Sequence, residues 1–198
     1  NGSGGAVRCA DATIERCLFR SNHAWGYEAA SGGAVCAASA TLRDCTFENN
    51  RAECPGAPAG GAVADRGHPV ITGCVFRANR VSAHYFHASG GAVLAGSGSV
   101  ADCLFLGNAA TCNQGPGRGG ALAGSELTVT RCAFVGNEAA RLVPPGPGAG
   151  GAVYALFPSA LENCTLVANS GGTAGGIGAI VFEEGGSVHA TLVTGTHN

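Results

Sequence analysis

The sequence predicts an all-β fold, a right-handed parallel β-helix of about seven coils, mostly 28–30 residues each. Residues 1–198 are expected to form a single domain that is a segment of a longer protein. Three recurrences predict this. A Gly-Gly-Ala-apolar string begins at Gly4, Gly32, Gly60, Gly90, Gly119 and Gly150, with a degenerate copy at Ile177–Ile180. Cys-x-Phe follows at Cys17/Phe19, Cys45/Phe47, Cys74/Phe76, Cys103/Phe105 and Cys132/Phe134, and in weaker form at Cys164/Leu166 and Ala190/Leu192. Asn22, Asn50, Asn79, Asn108 and Asn137 each stand three residues after the Phe, with Asn169 after Leu166 and Gly195 in the last copy. Self-similarity at this period marks a solenoid, in which each repeat is one unit stacked on its neighbours.

Each coil opens on the glycine pair, which suits a bend where backbone crowds backbone, and its Ala is a small filler for a narrow interior. An aliphatic burst follows (Ile14, Leu42, Ile71, Val100, Val129, Leu161), then Cys-x-Phe. Apolar residues two apart in short bursts have the period of strands with one buried face. Helical repeats would need a longer 3.6-residue periodicity, which is absent. About three strands per coil are therefore expected. Charges supply an independent check on register. Stacking pairs Glu15 with Arg43, Arg16 with Asp44, Arg20 with Glu48, Glu48 with Arg77 and Asp102 with Arg131, as an in-register sheet should.

Asn22, Asn50, Asn79, Asn108, Asn137 and Asn169 fall where strands end, and their amides can bond one coil above and below. They are expected to form a structural ladder. Cys17, Cys45, Cys74, Cys103, Cys132 and Cys164 are expected to stack as buried free thiols, because side chains in register point the same way. A straight row of cysteines offers no tetrahedral metal cage, and no metal or cofactor is expected. Cys9, Cys36, Cys54 and Cys112 lie off that ladder. Candidate disulfides are Cys9–Cys36 and Cys54–Cys112, which would imply an oxidising compartment.

Composition narrows the partners. The formal charge is −2 and only 12% of residues are charged, which argues against nucleic acid. No apolar run reaches membrane-spanning length, so direct membrane insertion is not expected.

Gly-Gly-Ala-[Ile/Leu/Val] followed by Phe-x-x-Asn resembles the signature repeat of the chlamydial polymorphic outer-membrane proteins. "GGAV…FRSN", "GGAV…FENN", "GGAV…FRAN", "GGAV…FLGN" and "GGAL…FVGN" match fully, and "GGAV…LVAN" matches with Leu166 for Phe. The resemblance covers nearly the whole chain. It implies a pectate-lyase-like right-handed β-helix and, for the chlamydial members, a surface-displayed adhesive passenger domain. This chain departs from them in its enrichment in Ala and Arg and in showing no β-barrel translocator.

The segments between each Asn and the next Gly-Gly read as loops emerging at one edge. They carry Trp25, Tyr27, His84, Tyr85, Phe86 and His87, which either bind a partner or fold back over the rod. His84 and His87, three apart in "HYFH", are weak metal-ligand candidates. Asn1 and Asn163 begin sequons and are candidate glycosylation sites. The thirteen acids are scattered: Asp44 and Asp102 share a row two coils apart, and Glu183 and Glu184 are adjacent. No catalytic constellation emerges, since glycosidases need converging carboxylates and lyases an acidic cluster with a base. An ice-binding threonine array is broken in the row Thr13, Thr41, Val70, Ser99, Thr128, Ala160.

The expected role is a non-catalytic structural or adhesive module of a larger protein or appendage, secreted or at the cell surface. Partners would be other protein chains of an assembly or cell-surface ligands, glycans included, met at the loop edge. The alternative is a carbohydrate-active enzyme, a pectate-lyase-like polysaccharide lyase or a glycoside hydrolase.

Overall fold

The computed structural model describes residues 2–143, 145–171, 180–183, 186–189 and 192–193. The sequence features at Asn1, Ile177, Glu184, Ala190 and Gly195 lie outside them.

Three seven-stranded parallel sheets run the length of the molecule. The glycine-motif sheet contains the strands Val7–Arg8, Val35–Ala37, Val63–Asp65, Val93–Ala95, Leu122–Gly124, Val153–Ala155 and Ile180–Phe182. The middle sheet runs from Asp11–Glu15 to Gly186–His189, and the phenylalanine sheet from Leu18–Arg20 to Leu192–Val193. Successive strands in each sheet come from successive repeats. The seven rungs therefore make six full turns from first to last.

Register is the one the repeats demand. Phe19 pairs with Phe47, Phe47 with Phe76, Phe76 with Phe105 and Phe105 with Phe134. Their rings stack with centroids 4.8–4.9 Å apart and planes within 5–6°. Phe47, Phe76, Phe105 and Phe134 are fully buried among Ala34, Val63, Leu42, Ile71 and their equivalents in one continuous core. Three of the charge pairs close as ion pairs: Arg43–Glu15 at 2.9 Å, Arg20–Glu48 at 2.9 Å and Arg131–Asp102 at 2.7 Å. Glu48 gives its carboxylate to Arg20 and is only register-paired with Arg77.

The two glycines of each motif do different work. The first, from Gly4 to Gly150, sits at φ of +61° to +70°, where a side chain would be strained. The second has ordinary φ but no room. A Cβ on Gly61 would lie 2.0 Å from the carbonyl oxygen of Gly91, and one on Gly91 1.9 Å from that of Gly120.

The structure corrects the expected three strands per coil to four, with a fifth two-residue strand before the glycine motif in some coils (Gly2–Ser3 with Ala30–Ser31, and Ala88–Ser89 with Gly117–Arg118). The residues after Asn22, Asn50, Asn79, Asn108 and Asn137 are strand, not loop: His23–Trp25, Arg51–Cys54, Arg80–Ala83, Ala109–Cys112 and Glu138–Leu142 pair in parallel, and Pro145–Pro147 adds an antiparallel edge. This fourth sheet has its own small core of Ala30, Ala52, Cys54, Val81, Ala83, Ala88, Ala110 and Cys112. Its buried positions are mostly alanine, so the alternation that announces a strand is faint in the letters.

Candidate functional site

The ladders build the scaffold. In the asparagine column each amide from Asn50 to Asn137 is bonded to its neighbours on both sides. Asn108 Oδ1 accepts from the backbone N–H of Asn79 at 3.0 Å and from its Nδ2 at 3.0 Å. Asn108 Nδ2 donates to Phe76 O at 3.0 Å and to Asn137 Oδ1 at 2.9 Å. The pattern repeats from Asn22 to Asn169, and all but Asn22 are buried. Asn22, on the first rung, is half-buried.

The cysteine column also stacks, with each thiol donating to the carbonyl two residues earlier, as Cys45 does to Arg43 at 3.2 Å. Burial pushes the Cys45 and Cys164 thiols up, so they stay protonated. Cys17, on the first rung, is a correction to the expected buried row, being exposed.

The candidate disulfides are corrected too, since all ten cysteines are free thiols. Cys54 pairs with Ala83 and Ala83 with Cys112, so Cys54 and Cys112 lie two rungs, or roughly 10 Å, apart. Bridging needs Cα atoms within about 7 Å. Both instead fill the small core of the fourth sheet. Cys36 pairs with Arg8, on the outward row of its sheet, while Cys9 packs against the main core. Cys9 and Cys36 thus face opposite sides.

The predicted binding residues divide among separate places. Trp25 is not a loop residue but the outward end of a strand, in register with Glu53, and it is 60% exposed. Beside it a groove of about 460 Å³ is lined by Trp25, Glu53, Ser82, His84, Tyr85 and Asn113. His84 stands edge-on to Tyr85 with centroids 4.4 Å apart, and its Nδ1 lies 2.8 Å from Asn113 Nδ2. Glu53 is held by Arg51 at 2.9 Å and approached by His23 at 3.6 Å. Tyr27 (75% exposed) and Phe86 (67%) project nearby into solvent. His87 turns away into a different pocket with Arg118, so His84 and His87 do not converge as metal ligands. Among the described residues no group of three His, Cys, Asp or Glu side chains is placed to hold a metal ion. Asn163 is exposed at φ +54°, on the turn before Cys164.

A second groove, about 820 Å³, lies along the outward row of the middle sheet. The row Thr13, Thr41, Val70, Ser99, Thr128, Ala160 is in register as read from the sequence. His68 and Glu126 flank it. Elsewhere, Glu15, Glu48 and Asp102 are engaged in ion pairs between rungs. Asp102 is held below the usual carboxylate range by the hydrogen bonds of Arg131.

Sequence reasoning passed over Asp65, which is fully buried and accepts backbone N–H bonds from Ala40 at 2.6 Å and Gly67 at 2.9 Å. It pairs with Ala37 and Ala95, so an Asp interrupting a row of alanines was the available signal.

No curated protein and no solved structure matches the chain. The family model described as right handed beta helix region matches residues 1–193. Seven parallel rungs in one continuous register, matched over almost their whole length, make this chain a member of the right-handed β-helix family.

Proposed function

We propose that the chain is a non-catalytic structural or adhesive module of a larger cell-surface or extracellular protein or appendage, and that it meets its partners along the fourth-sheet edge. One observation carries the reading: Trp25, Tyr27, Tyr85 and Phe86 are all more than half exposed on one edge of a rod whose other large aromatics are mostly interior. Exposed aromatics beside polar groups are favoured binding anchors. The edge combines rigidity with variety, since its backbone is fixed by sheet pairing while its outward residues differ from rung to rung. The repeat resemblance to surface-displayed passenger domains supports the secreted or surface location.

The test is adhesion of beads coated with the intact chain, flowed over glycan-coated and matrix-protein-coated surfaces. Retention that falls about tenfold in a Trp25→Ala/Tyr85→Ala variant, roughly 1.4 kcal/mol, is the expected result. Retention equal to that of uncoated beads overturns the proposal.

The groove along the middle sheet supports a second reading, a carbohydrate-active enzyme, with Glu126 and His68 as its acid–base candidates. Release of unsaturated or reducing sugar ends from acidic polysaccharides, lost in Glu126→Gln, would favour it over adhesion.

A further inference from the structure

The outward face of the glycine-motif sheet carries the row Cys36, Ala64, Leu94, Ala123 and Tyr154. Side chains from the neighbouring turns close over its second half and leave a pocket of about 370 Å³, lined by Arg66, His87, Leu94, Arg118, Tyr154 and Leu156. Arg118 places its guanidinium carbon 5.2 Å from the centre of the Tyr154 ring. Tyr154 itself is only 3% exposed.

The two arginines of this pocket are not ion-paired among the described residues. Arg20, Arg43, Arg51 and Arg131 each hold a carboxylate, but among the described residues neither Arg66 nor Arg118 has one within ion-pair distance. Asp65, next to Arg66, has both oxygens taken up by the backbone of Ala40 and Gly67. Burial, and then the approach of the Glu183 carboxylate, push the Tyr154 hydroxyl up to about 12, with Arg118 opposing. That approach falls outside hydrogen-bond geometry, and the buried hydroxyl has no partner among the described residues. Burial first, then Arg118, lower the pKa of His87, which leaves its ring neutral at pH 7. The pocket therefore presents two guanidiniums and an unsatisfied buried donor against an apolar lining.

We infer that this pocket binds a carboxylate carried on a small apolar body, the carboxylate against Arg66 and Arg118 and the body against Leu94, Leu156 and the Tyr154 ring. Guanidinium planes match carboxylates in geometry and charge. The volume suits a small ligand, and a few convergent polar groups in an apolar cleft are the usual make-up of such sites. A buried polar group left unbonded is rare enough to need an explanation, and completion by a bound anion provides one. The site lies apart from the aromatic groove and stands whether or not that edge is adhesive.

The test is a titration of the intact chain with sodium benzoate, followed by NMR at the arginine Nε and histidine ring resonances. Benzyl alcohol, galacturonate and sulfate serve as comparison probes. Saturable shifts at Arg66, Arg118 and His87 are expected with benzoate, together with a rise in the His87 pKa, because a nearby anion favours the imidazolium. Arg66→Gln and Arg118→Gln should each weaken benzoate about tenfold or more, as loss of a charge-assisted bond does. Thermal midpoints identify the folded variants. If Arg118→Gln unfolds through loss of its packing on Tyr154, the exposed Arg66→Gln decides. Equal binding of benzyl alcohol would show an apolar site only, and equal binding of sulfate or galacturonate would remove the apolar body from the recognition. Either result overturns the inference, as does benzoate affinity unchanged in both variants.

Discussion

The phenylalanine column and the outward row of the fourth sheet share one scaffold and one rung spacing, yet they are written in opposite ways. Down the interior column the residues are Phe19, Phe47, Phe76, Phe105 and Phe134, then Leu166. Down the outward row they are Trp25, Glu53, Ser82, Thr111 and Ala140. Inside, each residue's neighbours are its own equivalents above and below, so a ring packs best on a ring and an amide is completed only by another amide. Outside, Trp25, Glu53 and Ser82 keep one side toward water, where no neighbour dictates their identity, while Thr111 and Ala140 further along are covered. Repetition in this molecule therefore encodes shape, and the positions that stop repeating are those free to recognise something.

The comparison breaks most visibly at an interior ring. Phe76 is fully buried with a stacked ring on either side, so Phe76→Ala should cost about 3–5 kcal/mol. Phe19 is half-buried with one stacked neighbour, and Phe19→Ala should cost about half as much, roughly 2 kcal/mol. Urea unfolding of both variants checks this. Equal costs would mean that stacking between rungs contributes little to the column.

Next in size is the amide column. Asn108→Ala deletes four side-chain hydrogen bonds and leaves buried groups of Asn79, Phe76 and Asn137 with fewer partners. Orphaned buried groups cost about 1–3 kcal/mol each before relaxation, so a loss of about 2–4 kcal/mol is expected. Amide hydrogen exchange at Asn79, whose N–H loses its acceptor, should rise in step. Unchanged exchange there would show that water replaces the amide.

How legible these regions were follows from the same contrast. The phenylalanine, asparagine and thiol columns could be read directly, because the spacing of identical letters is the spacing of the coil. The fourth sheet was missed because its buried residues are small: Ala24, Ala52, Val81, Ala110 and Ala139 give little hydrophobic contrast with their exposed neighbours. Trp25 was found as a notable residue but misplaced on a loop for that reason. The Arg66–Arg118–Tyr154 pocket left no trace in the letters, since its members come from three coils and share no motif. The turn residues were half legible. Glycines marked one corner of each coil, but the corners before Cys and before Asn also use Arg16, Ser21, Ala78 and Arg131 at positive φ, where nothing in the residue type announces the conformation, beside Asp44 and Asn49, which are types that tolerate it.

That corner yields a smaller effect of opposite sign. Ala78 sits at φ +52° in the column that holds Gly107 and Gly136, where a Cβ would meet nothing within 4 Å. Its strain is therefore in the backbone alone, about 1–2 kcal/mol for an L-residue in the left-handed region. Glycine relieves that strain but gives back about 0.5–1 kcal/mol of unfolded-chain entropy. Ala78→Gly should stabilise the chain by about 0.5–1 kcal/mol, read as a higher denaturation midpoint at constant m. A loss of stability would mean that the exposed methyl makes contacts worth more than the strain.

Smallest of all, and most informative for function, is Trp25→Ala. The ring is 60% exposed at the first rung of the fourth sheet, with its strand held by backbone pairing to Arg51–Cys54. Removing an exposed side chain outside any core changes stability by no more than about 0.5 kcal/mol. An interior aromatic deleted from the same rung spacing would cost several times more. If Trp25→Ala leaves the unfolding midpoint in place while bead adhesion falls, the ring serves recognition and the scaffold is indifferent to it. If the midpoint drops by 2 kcal/mol or more, roughly the cost of removing a half-buried core ring, then Trp25 covers the edge rather than displaying it. The outward row would then belong with the interior columns, as part of what holds the coil together.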